Sequence, residues 1–342
     1  MQNSSRDKNR ASALRLRDFL HENGFLNANR SLIADCLVSM FCEIGSIPDA
    51  QTSFDMLDSK SKSAWSSLII GYLQCGHISE SFTLLEKMKE KSLHPSAHTF
   101  VALLKACSTL KDLQQTIQLH AHLSAKELDR NLFIASALVD TYAKCGALAK
   151  AQEVFDNLPH RDVVVWTALI AAYVEQKRGQ EALDHFKEMQ CRGVLPNAVT
   201  YVCSLKACGI IRAKDKGIKI HEEISMKGLI AKDLVLAGAI VDMYVKCGML
   251  KKAREVFNGL PIHDGISWNV LVTGYAQHGH GEEAWNCFQQ MQLEGYAPDV
   301  VTYSSCLKAC GSIKDRRKGK ELHAEILRKG LLERHTVLNN AL

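Results

Sequence analysis

The sequence predicts an all-α protein, an α-solenoid of helix-turn-helix repeats. Three observations predict it. Trp65, Trp166 and Trp268 recur at intervals of 101 and 102 residues. The strings LLKAC, SLKAC and CLKAC, starting at Leu103, Ser204 and Cys306, keep the same two intervals. Between these markers the apolar residues follow a helical period of 3.6.

The long period covers almost the whole chain. His120, His221 and His323 share it, and LVDTYAKCG at 138–146 returns as IVDMYVKCG at 240–248. Phe41 stands 101 residues before Tyr142, in the same place. Each long period divides into three. The intervals 62–96, 97–131 and 132–162 have 35, 35 and 31 residues; 163–197, 198–233 and 234–264 have 35, 36 and 31. A third period opens at Gly265, and a short unit at 31–61 precedes the first.

Each unit reads as two helices. The first carries Trp65, Leu68, Ile69 and Tyr72, or Trp166, Leu169, Ile170 and Tyr173, or Trp268, Leu271, Val272 and Tyr275. Those are positions i, i+3, i+4 and i+7, one helical face. A glycine-containing turn follows. The second helix has its own stripe, Ala182, Phe186 and Met189, repeated as Ala284, Phe288 and Met291. Pro95, Pro159, Pro196, Pro261 and Pro298 fall at unit junctions, where a helix must stop, and Pro48 suits the first turn of a second helix. A hairpin of ~35 residues cannot bury both stripes alone, so neighbours must stack and share a core.

Composition narrows the class further. The 342 residues are 46% hydrophobic and 23% charged, with a formal net charge of +5. This mild basicity is compatible with a polyanionic partner. No apolar run reaches the ~20 residues of a membrane helix. The twelve cysteines include no C-x-x-C pair, so they are expected to be reduced packing residues rather than zinc ligands. The basic N-terminal stretch shares the bias of transit peptides without an apolar signal core.

The unit VVVWTALIAAYVEQKRGQEALDHFKEMQCRGVLPN, the SLKAC segment with His221, and LVDTYAKCGALAKAQEVFDNLP together resemble the pentatricopeptide repeat family. They are similar to the P, L and S repeats of its PLS subclass, and the likeness covers roughly residues 15–342. The resemblance implies a right-handed solenoid. Residues 1–30 are an N-terminal segment with a partial L repeat, and 31–61 is an S repeat. The stretches 62–162 and 163–264 are P-L-S triplets. Residues 265–342 hold P and L repeats and a truncated S repeat, all in one continuous solenoid. The tetratricopeptide repeat, with its steady ~34-residue period, fits the mixed rhythm less well.

The resemblance also implies single-stranded RNA binding, one base per repeat, read by pairs of side chains. One reader follows the first-helix aromatic and the other closes the unit. In the P repeats these are Ser66 with Ser96, Thr167 with Asn197, and Asn269 with Asp299. The S repeats supply Ser136 with Asp162, and Asp264 beside Gly238; the Asp35/Ser61 and Gly238/Asp264 pairs carry no assigned base. The family code makes Thr167/Asn197 an adenine reader, Asn269/Asp299 a uracil reader and Ser136/Asp162 a guanine reader, with Ser66/Ser96 leaning to purine. The expected preference is purine–any–G–A–any–unknown–U, 5′ to 3′. Val101, Val202 and Ser304 of the L repeats promise little discrimination. Adjacency to the core aromatic is expected to point the first reader off the packed stripe. Asn340 would start one more pair.

Helical spacing adds Lys105, Lys144, Lys206, Lys246 and Lys308, four or eight residues after a first reader position. They are expected to form a rail for phosphates, which positions a strand without specifying it. The expected partner is an organellar transcript, in mitochondrion or chloroplast with the mitochondrion favoured. The expected task is to mark a site for C-to-U editing, with a deaminase-bearing protein as a further partner. RNA stabilisation, splicing or translation control, or a protein-binding scaffold, are the alternatives. No catalytic residue, metal, cofactor, small-molecule substrate or membrane partner is expected. His280 and Glu282 spell H-x-E, but the C-x-x-C of a zinc deaminase is missing. The chain is expected to be a fragment, because its last residues stop inside a predicted helix.

Overall fold

The computed structural model describes residues 2–22, 31–57, 59–230, 233–260 and 262–331. The chain divides into two compact units, Met1–Arg161 and Asp162–Leu342.

In the first unit, α1 (Gln2–Glu22) packs on α2 (Ser31–Ile44), which pairs with α3 (Ile47–Asp55). Three hairpins follow: α4 (Lys62–Gln74) with α5 (Ile78–Glu90), α6 (Ala97–Leu110) with α7 (Leu113–Ser124), and α8 (Leu132–Lys144) with α9 (Leu148–Asp156). Among the described residues the second unit holds five: α10 (Val163–Glu175) with α11 (Gly179–Cys191), α12 (Ala198–Ile211) with α13 (Lys214–Met226), α14 (Leu234–Lys246) with α15 (Leu250–Asn258), α16 (Gly265–Gln277) with α17 (Gly281–Leu293), and α18 (Val300–Ile313) with α19 (Arg316–Arg328). Within it, α10, α12, α14, α16 and α18 touch in succession and form one layer. The other helices of the pairs lie against them, so each unit is a stack of hairpins around one apolar seam.

The predicted stripes form that seam. Trp65, Trp166, Trp268, Tyr142 and Tyr244 are buried, as are Ala182, Phe186 and Met189 and their counterparts Ala284, Phe288 and Met291. Second helices of short repeats lean onto the next tryptophan: Phe54 meets Trp65 edge-on at 4.7 Å, and Phe257 meets Trp268 at 4.5 Å. The first helices of the short repeats end in left-handed glycines. Gly146 has φ 77°, and the N–H of Ala147 returns to the Tyr142 carbonyl at 2.8 Å; Gly248 and Met249 repeat the turn. All twelve cysteines are free and eight are buried. Burial pushes the Cys107 and Cys208 thiols up to about 12.

Glycine also sets how closely first helices approach. A Cβ on Gly274 would stand 2.4 Å from Val245 of α14, and one on Gly71 would stand 2.4 Å from the Cys42 sulfur of α2. Gly274→Ala is expected to destabilise the second unit by ~1–3 kcal/mol, because a packed Val245 has no open space to move into. A urea melt of the variant beside the wild type measures it.

The periodic histidines tie neighbouring repeats together. His120 Nδ1 lies 2.9 Å from the Tyr142 hydroxyl, and His221 Nδ1 2.8 Å from that of Tyr244. His323 is exposed. Burial lowers the pKa of His120 and His221 below the ordinary imidazole value. The fold therefore favours the neutral ring. Its stabilisation is present above the unfolded value of ~6.5 and is lost as pH falls through the folded one. The melting-temperature advantage of the wild type over His120→Gln/His221→Gln should shrink between about pH 7 and pH 5.

Candidate nucleic-acid interface

The residue that closes each repeat is the N-cap of the next first helix. Asp162 Oδ1 accepts the Val164 and Val165 N–H groups at 3.0 Å each. Asn197 Oδ1 accepts the Thr200 N–H at 2.9 Å, Asp264 Oδ1 that of Ser267 at 2.7 Å, and Asp299 Oδ1 that of Thr302 at 2.8 Å. Ser61 and Ser96 cap α4 and α6 through their single hydroxyls. A helix start leaves such N–H groups without partners, and Ser, Asp and Asn suit them. Capping is a second reason for their polarity, beside the base reading expected of them. Asp and Asn keep another polar atom after capping, whereas Ser does not.

The first members of the pairs sit less uniformly. Asn269 is half-buried, and its Nδ2 donates to Asp299 Oδ2 at 2.7 Å, so these two residues are in direct contact. Thr167 does not point off the packed stripe as expected. It is 8% exposed, and its hydroxyl faces the Val163 carbonyl and the Thr200 hydroxyl, both at 2.7 Å. The N-terminal turn of α12 covers it. The Ser66 hydroxyl is buried and takes no hydrogen bond among the described residues. Ser136 is half-buried and donates to its own helix at the Phe133 carbonyl. Asp35 Oδ2 accepts from Ser61 at 2.6 Å, while its Oδ1 has no hydrogen-bond partner among the described residues. Gly238 is half-buried, and a Cβ there would lie 3.5 Å from the Ser267 hydroxyl. Val101 is buried, and Val202 and Ser304 are half-buried. Asn340 lies outside the described residues.

A feature the sequence analysis missed runs along the second unit. Val164, Val199, Val235, Ile266 and Val301 are each the second residue of a first helix and are 53–72% exposed. Phe133 holds this place on α8 in the first unit and is also exposed. Each lies three residues before a position expected to hold a first reader, one turn away on the same helix face. Apolar side chains left open in a regular row offer apolar surface to a ligand. The signal was present as an apolar residue just outside the core stripe in α8, α10, α12, α14, α16 and α18, whereas α4 and α6 carry Ser63 and His98 there.

The five lysines are all exposed. Lys144 pairs with Asp140 at 2.8 Å and Lys246 with Asp242 at 2.7 Å, one helical turn back in each case. Lys105, Lys206 and Lys308 have no acidic partner among the described residues. The stem of Lys246 lies over Gly209 of α12, where a Cβ would meet its Cδ at 2.9 Å. Gly209 is one turn beyond Lys206 on α12. Of the five lysines, three thus lack an acidic partner among the described residues, and two are each paired with an aspartate of their own helix. Such exposed pairs are weak and open readily to a phosphate.

His280 lies 3.5 Å from Glu283 in an exposed i,i+3 pair. Among the described residues no group of three His, Cys, Asp or Glu side chains is placed to hold a metal ion. No helix among them is long and apolar enough to cross a membrane.

Known proteins repeat this arrangement. The PPR repeat family matches residues 60–109, 161–209 and 263–312, and a single PPR repeat matches 235–261. The chain is 36% identical over 278 residues to a pentatricopeptide repeat-containing protein of Arabidopsis thaliana, covering 81% of this chain and 38% of that protein. A mitochondrial member from the same plant is 34% identical, over 89% of this chain and 29% of its own length. The chloroplastic member CRR2 is 33% identical, over 91% and 48%. The chain spans less than half the length of these relatives. The crystal structure of PPR10 in complex with an 18-nt psaJ RNA element has the same fold, with a TM-score of 0.73 at 17% identity, over 91% of this chain and 46% of that one. The matched intervals, the hairpin stack and the relatives agree: this chain belongs to the pentatricopeptide repeat family.

Proposed function

We propose that the chain binds single-stranded RNA with sequence preference along the first-helix layer of each unit. The observation that carries this reading is the row Val164, Val199, Val235, Ile266 and Val301, with a polar pair one turn beyond it at the P repeats. Unpaired bases offer flat apolar faces and hydrogen-bonding edges together. A row of apolar side chains meets the faces. Polar pairs beside it meet the edges. The neighbouring lysines meet phosphates. PPR10, which shares the fold, is described in complex with RNA, and this supports the proposal.

For the second unit the expected preference is A–any–unknown–U, 5′ to 3′, from Thr167/Asn197 and Asn269/Asp299. Mitochondrial and chloroplastic relatives support an organellar transcript as the target. The PLS-like rhythm supports a task in marking a cytidine for conversion to uridine by a deaminase acting in trans. RNA stabilisation, splicing or translation control would use the same binding. A protein-binding scaffold would use the apolar row for an extended peptide instead.

Selection of bound RNA from a random pool tests this. Enrichment of A and U three positions apart supports the reading, and a pool without enrichment overturns it. Exchanging Asn269 and Asp299 for Thr and Asn should move one selected position from U toward A, each mismatch costing ~1–3 kcal/mol by analogy with base readout in DNA complexes. Replacing Lys105, Lys144, Lys206, Lys246 and Lys308 with Gln should flatten the fall of affinity with salt. An unchanged slope removes the rail and leaves the base assignments standing.

A further inference from the structure

We propose that Thr200 and Thr302 are positioning residues that fix which hydrogen-bonding group each P-repeat pair turns outward. The inference rests on the base reading proposed above and adds a third side chain to it. Both threonines are fully buried, three residues beyond the closing residue and on the next helix.

Thr302 contacts both members of its pair. Its hydroxyl stands 2.8 Å from Asp299 Oδ1 and in short contact with Asn269 Oδ1, and its N–H caps onto Asp299 Oδ1. The Asn269 amide has one orientation that suits these neighbours. Its oxygen faces the Thr302 hydroxyl, and its nitrogen faces the Asp299 carboxylate, which can only accept. One Asn269 N–H and the remaining lone pairs of Asp299 Oδ2 are left for a ligand. The closing residue therefore accepts. Uracil offers the matching edge, an N–H donor beside a carbonyl.

Thr200 holds its pair with the opposite result. Its hydroxyl is 3.0 Å from Asn197 Oδ1, accepts the Asn197 N–H at 3.2 Å, and meets Thr167 at 2.7 Å. The Thr200 N–H and hydroxyl both hold the Asn197 oxygen inward, so its NH2 group turns outward. Thr167 has one proton, claimed by the Val163 carbonyl or by Thr200, and offers a ligand only an acceptor. Here the closing residue donates. Adenine matches, with a ring nitrogen that accepts beside an amino group that donates.

Where the clamp is incomplete, the pair is less ordered chemically. The buried Thr99 bonds Ser96 at 2.9 Å, but the short Ser66 side chain has no partner among the described residues. The pair Ser66/Ser96 should accordingly discriminate least among the P repeats.

The test measures RNA affinity for all four bases at the position assigned to Asn269/Asp299, in wild type, Thr302→Val and Thr302→Ser. Thr302→Val keeps the backbone cap and the shape but removes the hydroxyl. It should lower the preference for U about three- to ten-fold, the worth of one hydrogen bond, and leave the Thr167/Asn197 position unchanged. Thr302→Ser should restore the preference. Should the valine variant fail to fold, Thr302→Ala carries the same test, since it keeps the N–H and adds no methyl. A folded variant with undiminished preference for U overturns the clamp. The Asn269/Asp299 exchange separates the two ideas. If the exchange shifts the base while the threonine variants do not, the clamp alone is wrong. If the exchange shifts nothing, the base reading is wrong and the clamp with it.

Discussion

The start of each first helix is the constraint from which the rest follows. Four backbone N–H groups at that point have no carbonyl of their own helix to meet. The last residue of the preceding repeat answers them with one side-chain oxygen. An Asp or Asn in that place is thereby held by one atom, and its other polar atom must face elsewhere. The cap joins two repeats covalently and by hydrogen bond, and it also orients a chemical group at the junction. A serine in the same place has a single hydroxyl for both tasks: it accepts the cap N–H, and at Ser61 its proton goes to Asp35.

That orientation needs little reorganisation when a ligand arrives. Asn197, Asn269, Asp299 and the threonines between them form hydrogen bonds on helix ends whose neighbours are packed tryptophans and tyrosines. Groups preset on rigid elements lose less freedom on binding than groups on loops. The apolar row beside them is open already, so a base would not have to displace a packed side chain. Even the lysines are partly arranged. Lys144 and Lys246 are held by acids one turn back, whereas Lys105, Lys206 and Lys308 have none among the described residues.

The repeats were legible because they are a one-dimensional signal. Trp65, Trp166 and Trp268 repeat at fixed intervals, and their stripes have a period that only a helix satisfies. The histidines that share this period are bonded to Tyr142 and Tyr244, at His120 and His221, or exposed, at His323. Thr167 was less legible. Its position beside the stripe suggested an outward hydroxyl, but the first turn of α12, from the next repeat, lies over it. The apolar row escaped notice for a different reason. Val164 or Ile266 looks like one more core residue until burial is known, because a short apolar side chain at a helix start belongs equally to either face.

The sequence by itself determined the helical hairpins, their lengths and the residues that fill the seam between them, since hydrophobic periodicity and turn chemistry are local. Only the tertiary structure decided which polar atoms are consumed within the protein and which remain for a ligand. That depends on side chains some 30 residues apart meeting at a junction, as Asn269 meets Asp299 and Thr302. No local pattern encodes the geometry of such a meeting; it arises when one hairpin docks on the next.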